Sequence, residues 1–266
     1  MERIMKSVDR PTLCIGILTM NEERRIAQCI QSAKFADQIV VVDSGSTDRT
    51  LDIAQEMGAE IHRHDDWQGF AVQRNRLLNY AASEYVFFLD ADEVITSELA
   101  IEINNAVQSG QPFVWETYWL EVAFGRPLKR ISSRKSLPRL FRRDMVMSFE
   151  GVVHEHANLT IPNAPRHIFK SPLLHYSRET VHDSLKKLTQ YAMLGAAKRA
   201  KKNRRGGVLY GIISSVWMFI RLYFFKRAFL EGGPGFLYSF FIALEFFFRQ
   251  AALKYDRPYL NDQISR

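Results

Sequence analysis

Apolar and polar positions alternate in short blocks along the first ninety residues. Leu13–Thr19 is an apolar run with the length of one buried strand. Residues 21–34 then place apolar or small side chains at Ile26, Cys29, Ile30 and Ala33, which share one face of a helix. A second, β-branched run at 38–42 is stopped by the turn-forming Asp43-Ser44-Gly45-Ser46. Residues 47–57 resume helical spacing and end at Gly58, a suitable C′ residue. The pattern predicts a third strand at 59–62, a helix at 70–82, and a fourth strand at 85–89 running into Asp90-Ala91-Asp92. Strands alternating with helices at this spacing predict βαβ units on a parallel sheet, an α/β fold. In such sheets ligands bind at the carboxyl ends of the strands. Three polar clusters fall there: Thr19-Met20-Asn21-Glu22, Asp43-Ser44-Gly45-Ser46 and Asp90-Ala91-Asp92-Glu93.

From about 113 to 175 the pattern changes to short strand-like pieces broken by Pro and Gly, and after Thr180 it becomes helical. We therefore expect a domain over 1–180, with halves at about 12–95 and 96–180, and a helical extension over 181–266. Within the extension, 198–205 carries six basic residues in eight. Two aromatic-rich apolar stretches follow, at 208–225 and 236–253. Arg221 interrupts the first, and Glu245 and Arg249 the second, which disfavours a bilayer-spanning helix. Helices lying among lipid headgroups tolerate such charges, and a basic cluster beside them attracts anionic lipid. The other reading is amphipathic helices packed on the α/β domain, with 198–205 a solvated face.

Composition narrows the partners. The chain has 266 residues, 47% hydrophobic and 24% charged, which excludes a disordered protein. Its net charge of +7 implies attraction to nucleic acid, anionic lipid or a phosphorylated substrate. The two cysteines, Cys14 and Cys29, show no zinc or disulfide pattern, which fits a reducing cytosol. Residues 1–10 are charged and lack an apolar h-region, so a cytoplasmic location is expected.

Asp90 and Asp92 straddle one alanine at a strand end, where both carboxylates can meet one hard cation. Mg²⁺ or Mn²⁺ prefers such ligands and shares them with substrate phosphates. The competing reading has Asp92 or Thr96 capping the next helix. In the loop after the second strand, Asp43 can accept from a base N–H, while Gly45 permits close backbone approach to a ligand. Alternatively Ser46 or Thr47 is an N-cap with Asp48 in the first turn. Arg74 is either a solvated helix residue or a phosphate clamp.

The series ILTMNEE, IVVVDSGSTDRT, GFAVQRNRLLNYA and YVFFLDADE resembles the GT-A (Rossmann-like) domain of family 2 glycosyltransferases. With PRLFRR at 138–143, FEGVVHEH at 149–156 and LLHYS at 173–177, it resembles more narrowly the lipopolysaccharide core glucosyltransferases of the WaaE/LgtF type. The resemblance implies a nucleotide pocket lined by Thr19, Asn21, Glu22, Asp43, Ser44 and Arg74. It further implies a metal on the donor diphosphate held by Asp90 and Asp92, with His154 or His156 completing the shell or touching the diphosphate. An inverting enzyme needs one general base, and Glu155 is the choice, with Glu150 its rival. On a strand, His154 and His156 would share one face and Glu155 the other. Arg139 and Arg142 are either phosphate ligands or surface residues. The implied donor is a UDP-sugar, UDP-glucose above all. The implied acceptor is a lipopolysaccharide inner-core heptose, and the setting is the cytoplasmic face of the bacterial inner membrane. The Q-x-x-R-W signature of processive synthases is absent, which argues for single-sugar transfer.

Three other classes compete. A nucleotidyltransferase should show a glycine-rich phosphate loop after the first strand, where this chain has Asn21-Glu22-Glu23. A transferase using a polyprenyl phosphate or another lipid-linked acceptor is the nearer alternative. A basic nucleic-acid-binding protein would use 198–205 for phosphate contacts, but no reading motif accompanies them, and no nucleic-acid partner is expected.

Overall fold

All seven residues of the first strand, β1 (Leu13–Thr19), are buried, which requires cover on both faces of the sheet. Its side chains alternate between two cores. Leu13, Ile15 and Ile17 pack with Ile26, Cys29 and Ile30 of helix α1 (Ile26–Ala33). Cys14 and Leu18 pack on the opposite face with Leu77 and Leu78. The computed structural model describes residues 10–131, 135–151 and 155–260.

The chain continues through β2 (Gln38–Asp43), α2 (Thr50–Glu56), β3 (Glu60–Arg63), α3 (Phe70–Tyr80) and β4 (Tyr85–Asp90). Strands β3, β2, β1 and β4 are adjacent and parallel. In their register Thr19 lies beside Asp43, and Leu18 beside Asp90. Three polar strand ends thus meet along one edge. Gly16 lies under α3: a Cβ there would stand 2.1 Å from Leu77 Cδ2, so only glycine allows this strand–helix approach.

Next come β5 (Glu93–Ile95), α4 (Ser97–Gln108), β6 (Val114–Ala123), β7 (Arg126–Pro127) and β8 (Ser136–Arg142). Thr96 caps α4 by accepting from Leu99 N at 3.1 Å, so Asp92 is not the cap. Then follow β9 (Val146–Glu150), β10 (His156–Leu159), β11 (Arg166–Ile168) and β12 (Leu173–Arg178). The large sheet reads β3-β2-β1-β4-β8-β6-β12-β5, with β7 and β11 also on β6; β9 and β10 form a separate antiparallel pair. β8 enters antiparallel to β4. Among the described residues three α-helices follow: α5 (Val181–Ala200), α6 (Val208–Ile220) and α7 (Gly232–Tyr255).

Contacts group the described residues into two units, 10–119 with 135–174, and 120–131 with 175–260. The sequence divides the chain near 180; the contacts also place 120–131 with the C-terminal helices. The reason is local packing, since Ala123, Leu128 and Ile131 share a cluster with Ala228.

Two helices begin later than the periodicity predicts. Residues 21–25 precede α1 because Asn21 takes a left-handed φ of 56° and the backbone N–H groups of 21–23 bond to the side chains of Ser46, Thr50 and Asp48. Neither Ser46 nor Thr47 caps α2, which starts at Thr50. Both are instead bound into the loop described next.

Candidate active site

Two loops at the strand ends are bolted together by short polar side chains. Asn21 N donates to Ser46 Oγ at 2.8 Å, and Glu22 N to Thr50 Oγ1 at 2.8 Å. In return Asn21 Oδ1 accepts from Thr47 N at 2.8 Å. Asp43 is fully buried and turned into its own loop. Its Oδ2 accepts from the N–H of Gly45 and of Ser46, each at 2.9 Å, and its Oδ1 accepts from Ser46 Oγ. Gly45 supplies the φ of +96° that this turn requires. Burial would raise the Asp48 carboxyl, but the Thr50 hydroxyl and amide and the Glu23 amide hold it below the usual range. Thr19 Oγ1 is buried and has no hydrogen-bond partner among the described residues.

One turn of α3 connects this loop pair to the rest of the unit. Gln73 Nε2 donates to Ser44 Oγ at 3.0 Å. Asn75 clamps Phe149 of β9, accepting from its N–H at 2.7 Å and donating to its carbonyl at 3.0 Å. Between them, Arg74 Nε reaches Glu155 Oε1 at 3.2 Å, and its NH2 lies 3.5 Å from Asp90 Oδ1. Its guanidinium stands over the rings of Phe88 and Phe149, so a cation that sequence alone leaves as either a solvated helix residue or a phosphate clamp is nearly enclosed.

On the other side of Asp90 lies Arg139, 3% exposed. It donates to Asp90 Oδ2 at 3.1 Å, to Glu93 Oε1, and to the Phe88 carbonyl at 3.3 Å. Burial alone would lower its pKa; Glu93 and Asp90 reverse this and raise it, so it stays charged. Glu93 is itself fully buried. It accepts from Trp119 Nε1 at 2.6 Å and from Asp90 N at 2.8 Å. Glu93 and Trp119 are the members of this site that motif reading passes over. Glu93 stands inside the DADE string, and a third acid directly after a metal-type dyad was the available signal.

Arg74, Asp90, Arg139, Glu155 and His156 all line one cavity of about 450 Å³. Glu150, opposite His156 in the β9–β10 register, is exposed and does not line it. Glu155 precedes β10, so strand alternation does not govern where it points. Thr19, Asn21, Glu22, Asp43, Ser44 and Asp92 are also not among the lining residues; they occupy the neighbouring strand ends. Arg142 is half-exposed and pairs with Asp144. His154 lies outside the described residues. Asp90 and Asp92 offer only oxygen, the donor type of a hard cation that completes its shell with phosphate and water. Among the described residues no group of three or more His, Cys, Asp or Glu is placed to hold a metal ion by itself. Asp90 also carries the two arginine contacts, so a cation there would share it with Arg74 and Arg139.

Residues 14–114 match the family model "Glycosyl transferase family 2". An uncharacterized glycosyltransferase of Rickettsia typhi is 27% identical over 250 residues, 90% of this chain and 85% of that one. The lipopolysaccharide core biosynthesis glycosyltransferase LpsC of Rhizobium meliloti is 28% identical over 269 residues, 94% of this chain and 96% of its own. Among solved structures, S. aureus TarS 1–349 superposes with a TM-score of 0.47 at 16% identity, covering 66% of this chain and 63% of that one. These likenesses, on an α/β unit with parallel strands, make the protein a glycosyltransferase. The match to the family 2 model covers 14–114, and the likeness to LpsC runs over 94% of the chain.

Proposed function

We propose that this protein transfers one hexose, glucose by resemblance, from a UDP-sugar to a lipopolysaccharide inner-core heptose, with inversion, at the cytoplasmic face of the inner membrane. The observation that carries the reading is the convergence of Asp90, Arg74 and Glu155 on one cavity beside the paired loops. Thr19, Asn21, Glu22, Asp43 and Ser44 form the nucleotide end of the site, where buried Thr19 Oγ1 offers an unused polar atom. Asp90 and Asp92 would hold Mg²⁺ or Mn²⁺, with His154 a further candidate ligand. When bound, the cation offsets charge developing on the departing UDP. Arg74 adds a second positive group beside the diphosphate.

Glu155 is the general base. It takes the acceptor hydroxyl proton as that oxygen bonds to the anomeric carbon, and the bond to UDP breaks on the opposite face. Its place in the cavity wall, which Glu150 lacks, supports this choice. The LpsC likeness supports the acceptor class.

Calorimetric titration with UDP, in Mn²⁺ and then in EDTA, tests the donor site. Binding should require the metal and disappear in Asp92→Ala, while sugar transfer falls more than about 100-fold and the melting temperature holds. Binding that is indifferent to EDTA and to Asp92→Ala would refute the metal site.

A further inference from the structure

The second unit carries its apolar surface on the outside. Along α6 the side chains of Leu209, Ile212, Ile213, Val216 and Trp217 recur at helical spacing, and every one is exposed. The π-helical turn Arg221–Phe225 extends the stripe with Phe224 and Phe225, the latter 69% exposed. Phe229, Leu230, Phe236 and Phe240 continue it beyond the turn. The segment Val208–Phe225 has a mean hydropathy of 1.7 with only 6% of it buried. A stripe of this composition in water requires cover.

Charge identifies the cover. Between Asp183 and Glu231 there is no acidic residue, and the same interval holds eleven Lys and Arg. Lys201, Lys202, Arg204 and Arg205 precede α6, and Arg221, Lys226 and Arg227 stand at its far end, all exposed. A second copy of this face would bring like charges together. A bilayer containing anionic lipid instead meets them with opposite charge at headgroup depth, at about 1 kcal/mol for each basic residue near the surface.

The same unit decides between lying on the bilayer and crossing it. By length and composition both Val208–Phe225 and Ala228–Tyr255 are long and apolar enough to cross. Yet α7 is gripped by polar protein at both ends and the middle. At the far end Arg130 N donates to Glu231 Oε1 at 2.9 Å, and Ala228 packs with Leu128 and Ile131. Midway, buried Glu245 pairs with Arg178. At the near end Gln250 O accepts from Gly207 N at 2.7 Å. A transmembrane hairpin would drag the segment carrying exposed Arg126, Lys129 and Arg130 into the bilayer. Each such charge costs about 2.5–3.5 kcal/mol at the bilayer centre on insertion scales. Along the membrane plane, both cationic ends of α6 reach headgroups together.

We propose that α6 and its π turn form an in-plane, monotopic anchor whose occupant is an anionic lipid bilayer, with α7 its inner support rather than a spanning helix. The proposal rests on the membrane-surface location proposed above, and goes beyond it by assigning the residues and the topology.

The test uses sealed inside-out membrane vesicles from bacteria expressing the full chain as Lys201→Cys or Lys226→Cys, labelled with a membrane-impermeant maleimide. The in-plane anchor predicts labelling at both positions before detergent is added. Labelling of Lys201→Cys alone, with Lys226→Cys protected until detergent, would mean a crossing hairpin and overturn the proposal while leaving the membrane location standing. Purified protein should also float with phosphatidylglycerol vesicles, and Ile213→Glu/Trp217→Glu should lose at least tenfold of that binding while keeping its circular dichroism. Absence of the wild type from both kinds of vesicle overturns the anchor and the membrane location together. A wild-type dimer that the double variant abolishes would assign the stripe to a second copy.

Discussion

Asp90 sits between two arginines, Arg74 at 3.5 Å and Arg139 at 3.1 Å. Their surroundings give them different roles. Arg139 is tied to Glu93 and to a carbonyl, so it holds the corner in place. Glu93→Gln should therefore destabilise the protein by about 3–5 kcal/mol in denaturant unfolding, because it leaves Arg139 buried with too little negative charge. A loss below 1 kcal/mol would mean that Asp90 alone suffices. Arg74 joins Asp90 to Glu155, the atoms assigned to metal binding and to proton removal. Glu155→Gln keeps the shape and removes the base. Its turnover should fall about 10²–10⁴-fold with UDP affinity nearly unchanged. If Glu150→Gln produces that loss instead, the base is misassigned.

At the scale of elements, α3 is the joint of the first unit. Three consecutive side chains leave it in different directions: Gln73 to the β2 loop, Arg74 to the cavity, and Asn75 to β9. The helix performs this only because it lies close on β1 at Gly16. Gly16→Ala would push against Leu77 and should cost about 1–3 kcal/mol, read as a lowered denaturation midpoint at constant m. Adding Leu77→Ala should remove part of the strain. A double variant no better than the sum of its parts would show that the strand, not this contact, needs the glycine. The helix starts at α1 and α2 illustrate a different competition. Residues 21–25 and 46–49 have helical or capping character in sequence. Their hydroxyl, amide and carboxylate groups instead bond across to each other, because the two strand ends lie side by side.

For the whole molecule, both thiols are sealed inside the first unit. Burial and nearby Glu60 push Cys14 up to about 12, and burial with Glu93, Asp92 and Asp90 pushes Cys29 well above its ordinary value. Neither should react with a thiol reagent at pH 8 in the native state, and both should react together as denaturant unfolds the sheet. Fast native labelling would contradict the burial of β1 and α1. The βαβ order and the polar strand ends were legible in the chain. Alternation with period two and spacing near 3.6 are local properties, and the motifs sit within single strand–loop segments. The partners of those motifs were not legible. Arg139 and Trp119 lie 49 and 26 residues from the acids they bond, and nothing local marks a surface-type arginine for burial. The α6 stripe could equally have faced inward, since its apolar content is the same either way. The sequence by itself determined the order of elements and the strand-end clusters, because these follow from neighbouring residues, and the resemblance of those motifs supplied the class of chemistry. Only the tertiary structure decided which arginine is buried, which glutamate faces the cavity and which side of α6 meets solvent, because each depends on what distant parts of the chain place beside it.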